Sequence, residues 1–309
     1  METGTIPIAE CSGGFDLYRT LESGQSYLWR REDGEMYNDD AEPGPGHDRW
    51  YSTVVDGDVI RVRRRGGDQP GAADNSSAGV LEWEASDDRE PTIRRLLRLD
   101  DDLESIVESA PADPFLEEAY EAYRGLRLVE DPPFGTLISF ICSAQMRVSR
   151  IHGMVSTLAR TYGDEIEFDG ETYHAFPRPE QLASSTEAEL RDLGLGYRAP
   201  YVVRTAEMVA NGDGHPADAR DLEYEDARDH LTQFVGVGDK VADCVLLFSL
   251  GFDEAVPLDT WIKTAIADYY PDCDCGNYAE TSRAIRERFG GKYAGYAQTY
   301  VFHYLRTGE

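Results

Sequence analysis

Leu231-Thr-Gln-Phe-Val-Gly-Val-Gly-Asp-Lys-Val-Ala-Asp-Cys-Val-Leu-Leu-Phe248 is the stretch on which the fold turns. Its pattern predicts a helix ending at Phe234, a tight turn over Val235-Gly-Val-Gly, and a second helix starting near Asp239. Gly236 and Gly238 permit positive φ and the close approach of another backbone. Turn amides that run into a helix N-terminus make an anion site, so Gly236, Val237 and Gly238 are candidates to hold a phosphate. Gly-Val-Gly alone reads better as an ordinary connection between two helices.

Lys240 changes that reading. It falls in the first turn of the second helix, where the positive end of the dipole disfavours a charged ammonium and frees the amine as a nucleophile. Lysine is scarce in this chain; the others are Lys263 and Lys292. A surface lysine reaching for water is the competing explanation. Further on, Val256-Pro-Leu-Asp259-Thr-Trp-Ile opens another predicted helix with Asp259 at its N-cap. A capping carboxylate beside a sugar can also stabilise the positive charge that grows as a glycosidic bond breaks. Cys244 lies four residues after Lys240, on the same helix face, and buried core is the default for a cysteine there.

Outward from the hairpin, the periodicity changes once. Residues 10 to about 85 read as short alternating strands: Phe15-Asp-Leu-Tyr-Arg, Ser26-Tyr-Leu-Trp-Arg, Trp50-Tyr-Ser-Thr-Val-Val and Val59-Ile-Arg-Val-Arg. Asn38-Asp-Asp and Pro43-Gly-Pro-Gly supply turns, and Gly66 to Gly79 reads as a polar loop. The connections are too short for crossover helices, so the sheet should be antiparallel. From Thr92 the period is helical, with Ile93, Leu96, Leu97 and Leu103 on one face. Predicted helices include Phe115–Leu128, Phe134–Ile141, Val148–Tyr162, Ala199–Asn211, Tyr278–Phe289 and Ala294–Leu305. The expectation is an α+β chain: an antiparallel β domain over residues 1–90, then an all-helical domain over 91–309 that carries the helix–hairpin–helix.

Composition narrows the class. No stretch reaches the roughly 20 apolar residues of a membrane span, and the start, Met-Glu-Thr-Gly, lacks signal-peptide features; a cytoplasmic protein is expected. Five scattered cysteines form no disulfide framework, and Cys273-x-Cys275 lacks the further ligands of a metal site, so no metal is expected. Net charge is −29, from 59 acids against 30 bases. Acids spread through every segment are the mark of a surface working at high salt, where self-repulsion is screened. A salt-loving microbial source follows as an expectation. Such acidity ordinarily opposes nucleic-acid binding, but at high salt repulsion is screened and counterion release drives binding weakly in any case.

Gly-Val-Gly-Asp-Lys-Val-Ala-Asp-Cys followed by Val-Pro-Leu-Asp resembles the helix–hairpin–helix, Gly/Pro-Asp family of DNA glycosylases, and within it the 8-oxoguanine glycosylase branch, here of haloarchaeal character. The likeness runs nearly the whole chain: Ser23-Gly-Gln-Ser-Tyr-Leu-Trp-Arg, Leu137-Ile-Ser-Phe-Ile-Cys-Ser, Leu193-Gly-Leu-Gly-Tyr-Arg and Tyr293-Ala-Gly-Tyr-Ala-Gln all match in order. The resemblance implies a base-excision repair enzyme with an associated strand-nicking activity, acting as a monomer on double-stranded DNA at the nucleoid. Lys240 would attack C1′ and form a Schiff base, with Asp259 supporting the developing charge. The target nucleotide must leave the stack.

The same resemblance implies the remaining roles. Gly24 would accept, through its carbonyl, the N7 hydrogen that 8-oxoguanine has and guanine lacks. Gln298 would bind the Watson–Crick edge, and Cys244 and Phe302 would sandwich the base. Gln145 would fill the emptied stack and Tyr197 would wedge beside it, while Arg150 and Arg198 would meet the estranged cytosine. No cofactor is implied for catalysis; a monovalent cation at the hairpin is compatible with the family. The chain departs from the branch at Gln145-Met-Arg147, where asparagines are common, and at Trp261, where a phosphate-contacting histidine is common. The alternatives are a glycosylase of the same fold for another damaged base and a non-catalytic hairpin module that only binds DNA. Lys240 speaks against the monofunctional alkyl-purine enzymes, and the lack of a cysteine cluster against the iron–sulfur branch.

Overall fold

The computed structural model describes residues 1–37, 48–66 and 79–308. The turns expected at Asn38-Asp-Asp and Pro43-Gly-Pro-Gly, and most of the Gly66–Gly79 loop, lie outside the described residues. Five strands, β1 (Glu2–Pro7), β2 (Arg30–Arg31), β3 (Tyr51–Val55), β4 (Asp58–Arg65) and β5 (Val80–Ala85), form one antiparallel sheet in the order β1-β5-β4-β3-β2. Asp56 and Gly57, both at positive φ (54° and 82°), turn β3 into β4. That is the geometry an Asp-Gly hairpin favours. β4 buries Val59, Ile60 and Val62, with Arg61 and Arg63 half-buried between and after them.

Two of the expected strands are corrected. Phe15–Arg19 is not extended: Leu17–Glu22 is a helix, α1, because Asp16 caps it by accepting the Arg19 N–H at 2.9 Å. Ser26–Arg30 pairs with the sheet only at its end, since Trp29 turns inward, fully buried, and donates its indole N–H to Asp131 at 3.3 Å. Strand β1, absent from the sequence expectation, closes the edge against β5.

The rest is helical: α2 (Glu90–Leu96), α3 (Leu103–Glu108), α4 (Pro114–Ala122), α5 (Pro133–Cys142), α6 (Val148–Tyr162), α7 (Pro179–Ala183), α8 (Glu187–Asp192), α9 (Ala199–Ala210), α10 (Tyr224–Thr232), α11 (Asp239–Ser249), α12 (Thr260–Tyr269), α13 (Tyr278–Arg288) and α14 (Ala294–Thr307). It is not all-helical. A two-stranded hairpin, β6 (Glu165–Phe168) with β7 (Glu171–His174), interrupts it, turned by Asp169 and Gly170 at φ 52° and 82°. The helix expected over Phe115–Leu128 stops at Ala122.

One apolar core joins sheet and helices. α5 is buried along its whole length and lies beside α11, with Phe140 stacked on Phe248 at 5.7 Å. Arg127, fully buried, donates to the carbonyls of Gly14 at 3.0 Å and Arg98 at 2.7 Å. It thereby stitches the start of the chain to the helical part without a carboxylate partner among those bonds. No helix among the described residues is long and apolar enough to cross a membrane.

Candidate active site

The hairpin forms as the sequence predicts. Gly236 has φ 84°, and a Cβ there would lie 2.6 Å from Cβ and Cγ of Tyr201, so only glycine lets the turn press against α9. Thr205 on the same helix donates to the Val235 carbonyl at 2.9 Å. Val237 is largely buried and donates to the Phe234 carbonyl at 3.1 Å. Gly238 caps α11 with no side chain of its own. The helix N-terminus thus lies open beside two exposed glycines, as an anion site requires.

Lys240, partly buried, donates from Nζ to Ser143 Oγ at 3.2 Å and lies 5.3 Å from the centre of the Phe140 ring. Phe140 lies in the last turn of α5 and Ser143 is its C-cap. A lysine that snorkels to water would not be drawn inward to a serine and an aromatic face. Sequence reasoning missed both residues; the signal was present, since Phe140 and Ser143 fall inside a quoted family segment. Cys244, one turn further along α11, is buried, and that burial pushes its thiol up to about 12 against the pull of Lys240. It presents apolar surface rather than a thiolate.

Asp259 is the N-cap of α12, and its Oδ1 accepts the Ile262 N–H at 2.8 Å. Burial raises its carboxyl above the ordinary value, opposed first by that N–H and then by the charge of Lys240. The cap and the electrostatic partner of Lys240 are therefore one residue, as both readings of the sequence allowed.

Gly24 sits at φ 99° in a loop tied down on every side. The Tyr37 hydroxyl lies 2.7 Å from the carbonyls of both Leu21 and Ser26. The Gln25 amide donates to Thr20 O at 2.8 Å and Arg127 O at 2.7 Å and accepts the Val129 N–H at 3.0 Å. A Cβ on Gly24 would lie 3.2 Å from Cε1 of Phe302, so Gly24 and Phe302 face one another. Gln298 is one turn before Phe302 on α14, buried. Arg306 on that helix donates to Glu22 O at 2.8 Å and locks α14 to the loop.

Gln145 is exposed at φ 55° in the turn between α5 and α6. The neighbouring Ala144 carbonyl accepts from Arg198, whose guanidinium lies 4.4 Å from the Tyr197 ring. Arg198 is only 3% exposed, whereas Tyr197 is 54% exposed. The arginine expected at the opposite base is thus turned inward, onto the turn that carries Gln145. Arg150 is exposed near Gly194. Trp261 and Lys263 are exposed on α12.

A lysine at the head of a hairpin helix, opposed by a capping aspartate, is the layout of a base-excision glycosylase. The family model described as HhH-GPD superfamily base excision DNA repair protein matches residues 138–290, and the chain belongs to that superfamily. The model of the 8-oxoguanine DNA glycosylase N-terminal domain matches residues 7–137. A probable N-glycosylase/DNA lyase of Methanothermobacter thermautotrophicus is 31% identical, over 95% of this chain and 94% of that one. The N-glycosylase/DNA lyase of Saccharomyces cerevisiae is 42% identical over 159 residues, 47% of this chain but less than half, 42%, of the yeast protein. Among solved structures, MBOgg1 with a low-affinity DNA ligand superposes with a TM-score of 0.81 at 28% identity, covering both chains fully. The Clostridium acetobutylicum 8-oxoguanine glycosylase/lyase, bound to DNA with cytosine opposite 8-oxoguanine, gives 0.79 at 28% identity, over 95% and 92% of the two chains.

Proposed function

We propose that this chain is a bifunctional DNA glycosylase and lyase that removes 8-oxoguanine and then nicks the strand. The observation that carries the reading is Lys240, held by Ser143 at the head of α11 and coupled to the half-buried cap Asp259. With the nucleotide flipped out, the Nζ lone pair attacks C1′. The glycosidic bond breaks, and the base leaves with its electron pair and takes up a proton. Asp259 stabilises the positive charge on the sugar at that moment. The sugar ring then opens to a Schiff base on Nζ. Loss of a C2′ proton eliminates the 3′ phosphate, which nicks the strand. Gly24 offers its carbonyl to N7–H of the lesion, with Phe302 and Cys244 against the ring faces and Gln298 at the pairing edge. Gln145 fills the vacated stack with Tyr197 wedged beside it, and Arg150 meets the estranged cytosine, while Arg198 braces the turn that carries Gln145.

The same reading takes residues 1–90 and 91–309 as the two structural units, the enzyme as a monomer, and the nucleoid as its place of work. Gly236, Val237 and Gly238 hold a backbone phosphate there, and any monovalent cation would sit at the same turn.

Borohydride trapping tests it, in molar salt, on a duplex with 8-oxoguanine opposite cytosine, beside duplexes carrying uracil, an alkylated purine or an abasic site. The expected result is a covalent adduct on the 8-oxoguanine duplex that disappears in Lys240→Gln, together with base release and nicking. An adduct on the abasic duplex alone would assign a different base, and no adduct anywhere would leave a binding module.

A further inference from the structure

Behind the catalytic pair lies a buried polar chain. Asp243 is three residues after Lys240 on α11 and is fully buried. Its Oδ1 accepts the Tyr224 hydroxyl and its Oδ2 the Tyr278 hydroxyl, each at 2.7 Å. The two tyrosines begin α10 and α13. The Tyr278 oxygen in turn accepts the backbone N–H of Leu258 at 3.1 Å. Leu258 immediately precedes Asp259 and follows Pro257, which has no N–H to offer. The helix carrying the nucleophile therefore grips, through one tyrosine, the peptide that delivers the catalytic carboxylate.

A fully buried carboxylate is costly unless its oxygens are satisfied. Here both hydroxyls donate to it, and the Tyr278 hydroxyl is polarised at both ends, which strengthens each bond in the series. Arg228 and Arg286 pair with Glu225 instead of Asp243, and lie over the Tyr224 ring at 5.4 and 4.1 Å. A plain structural buffer for Asp243 would need no link to Leu258. The link fixes one catalytic group relative to the other, and small displacements of reacting groups are expensive in rate.

We propose that Tyr278, anchored by Asp243, is a positioning residue that sets Asp259 against Lys240. The inference rests on the catalytic assignment above. Tyr224 is the internal control: it makes the same bond to Asp243, while the Leu258 N–H goes to Tyr278. Single-turnover base release with enzyme in excess, apparent Kd for the damaged duplex, and melting temperature would be measured for Tyr278→Phe and Tyr224→Phe. Tyr278→Phe should slow turnover by about tenfold or more with Kd within about twofold. Tyr224→Phe should lower the melting temperature comparably and leave turnover within about twofold. Equal slowing of both variants, or no slowing of Tyr278→Phe, would overturn the proposal. Should Tyr278→Phe not fold, Asp243→Asn, which keeps one acceptor oxygen, takes its place; it should slow turnover at unchanged Kd, and full turnover would count against the chain. Borohydride trapping on the abasic duplex reads the same variants without a base to release. Should the wild type ignore 8-oxoguanine yet trap abasic DNA, only the substrate assignment is lost, and Tyr278→Phe must still trap more slowly than Tyr224→Phe.

Discussion

The arginines of the sheet and those of the hairpin face live in opposite electrostatic conditions. On the sheet, Arg61 lies within ion-pair distance of Glu32, Glu84 and Asp169, and Arg63 and Arg65 share Glu82, while Arg89, just after β5, meets Asp58 and Asp87. Around the hairpin and the α5–α6 turn, Arg147, Arg150, Arg204 and Lys263 are exposed, and among the described residues none of them is in an ion pair. A chain of net charge −29 does not need a surplus of bases to receive a phosphate backbone. It needs one face on which bases stand outside ion pairs. At high salt the rest of the acidic surface is screened within a few ångströms, and under the proposed function the local face is what a duplex meets.

The hardest blow to that contrast is Arg147→Glu with Arg150→Glu, which reverses two of these unpaired charges. Affinity for the damaged duplex, read by fluorescence anisotropy at fixed salt, should fall by about a hundredfold or more; unchanged affinity would take this face off the DNA path. Arg204→Ala and Lys263→Ala test it more gently. Each should flatten the slope of log K against log salt by about 0.9 if the residue meets a phosphate, while Arg63→Ala should leave the slope alone. On the other side, Arg61→Ala removes the hub of three carboxylates. It should cost about 1 kcal/mol, a melting shift of a few degrees at low salt that shrinks at 1 M, with no change in DNA affinity.

A further effect is in pH. Burial pushes Asp243 from 3.8 to about 7, partly offset by the two tyrosine hydroxyls and then by Arg228 and Arg286. The folded protein therefore holds a proton between about pH 4 and 7 that the unfolded chain has released, so this group's contribution falls as pH rises through that window. Asp243→Asn should flatten the melting temperature against pH there; an unchanged slope would mean that other groups set it.

Much of this was readable from residue types. The hairpin was, because Gly236 must adopt a left-handed backbone and Lys240 and Asp259 stand at helix starts where their types carry meaning. The sheet was read less well. Phe15-Asp-Leu-Tyr-Arg alternates like a strand, and only the capping geometry of Asp16 makes it a helix. The β6–β7 hairpin did have a local signal, Asp169-Gly170 between short alternating runs, and it was passed over inside a helical region. The inward turn of Arg198 and the tie from Tyr278 to Leu258 were beyond reach. Both join residues far apart in the chain, and no periodicity encodes which hydroxyl or guanidinium arrives at which carbonyl or amide.

Under the role proposed for Gln145, the turn that carries it has a further consequence for search. A non-glycine residue at φ 55° holds of order 1 kcal/mol of backbone strain, and the turn is braced by Arg198 on Ala144 and by Lys240 on Ser143. The ordering cost of this fingertip is met when the chain folds, not each time it tries a base pair. A probe that is already shaped can interrogate and release undamaged pairs quickly, so the enzyme's patience is kept for the rare site that yields.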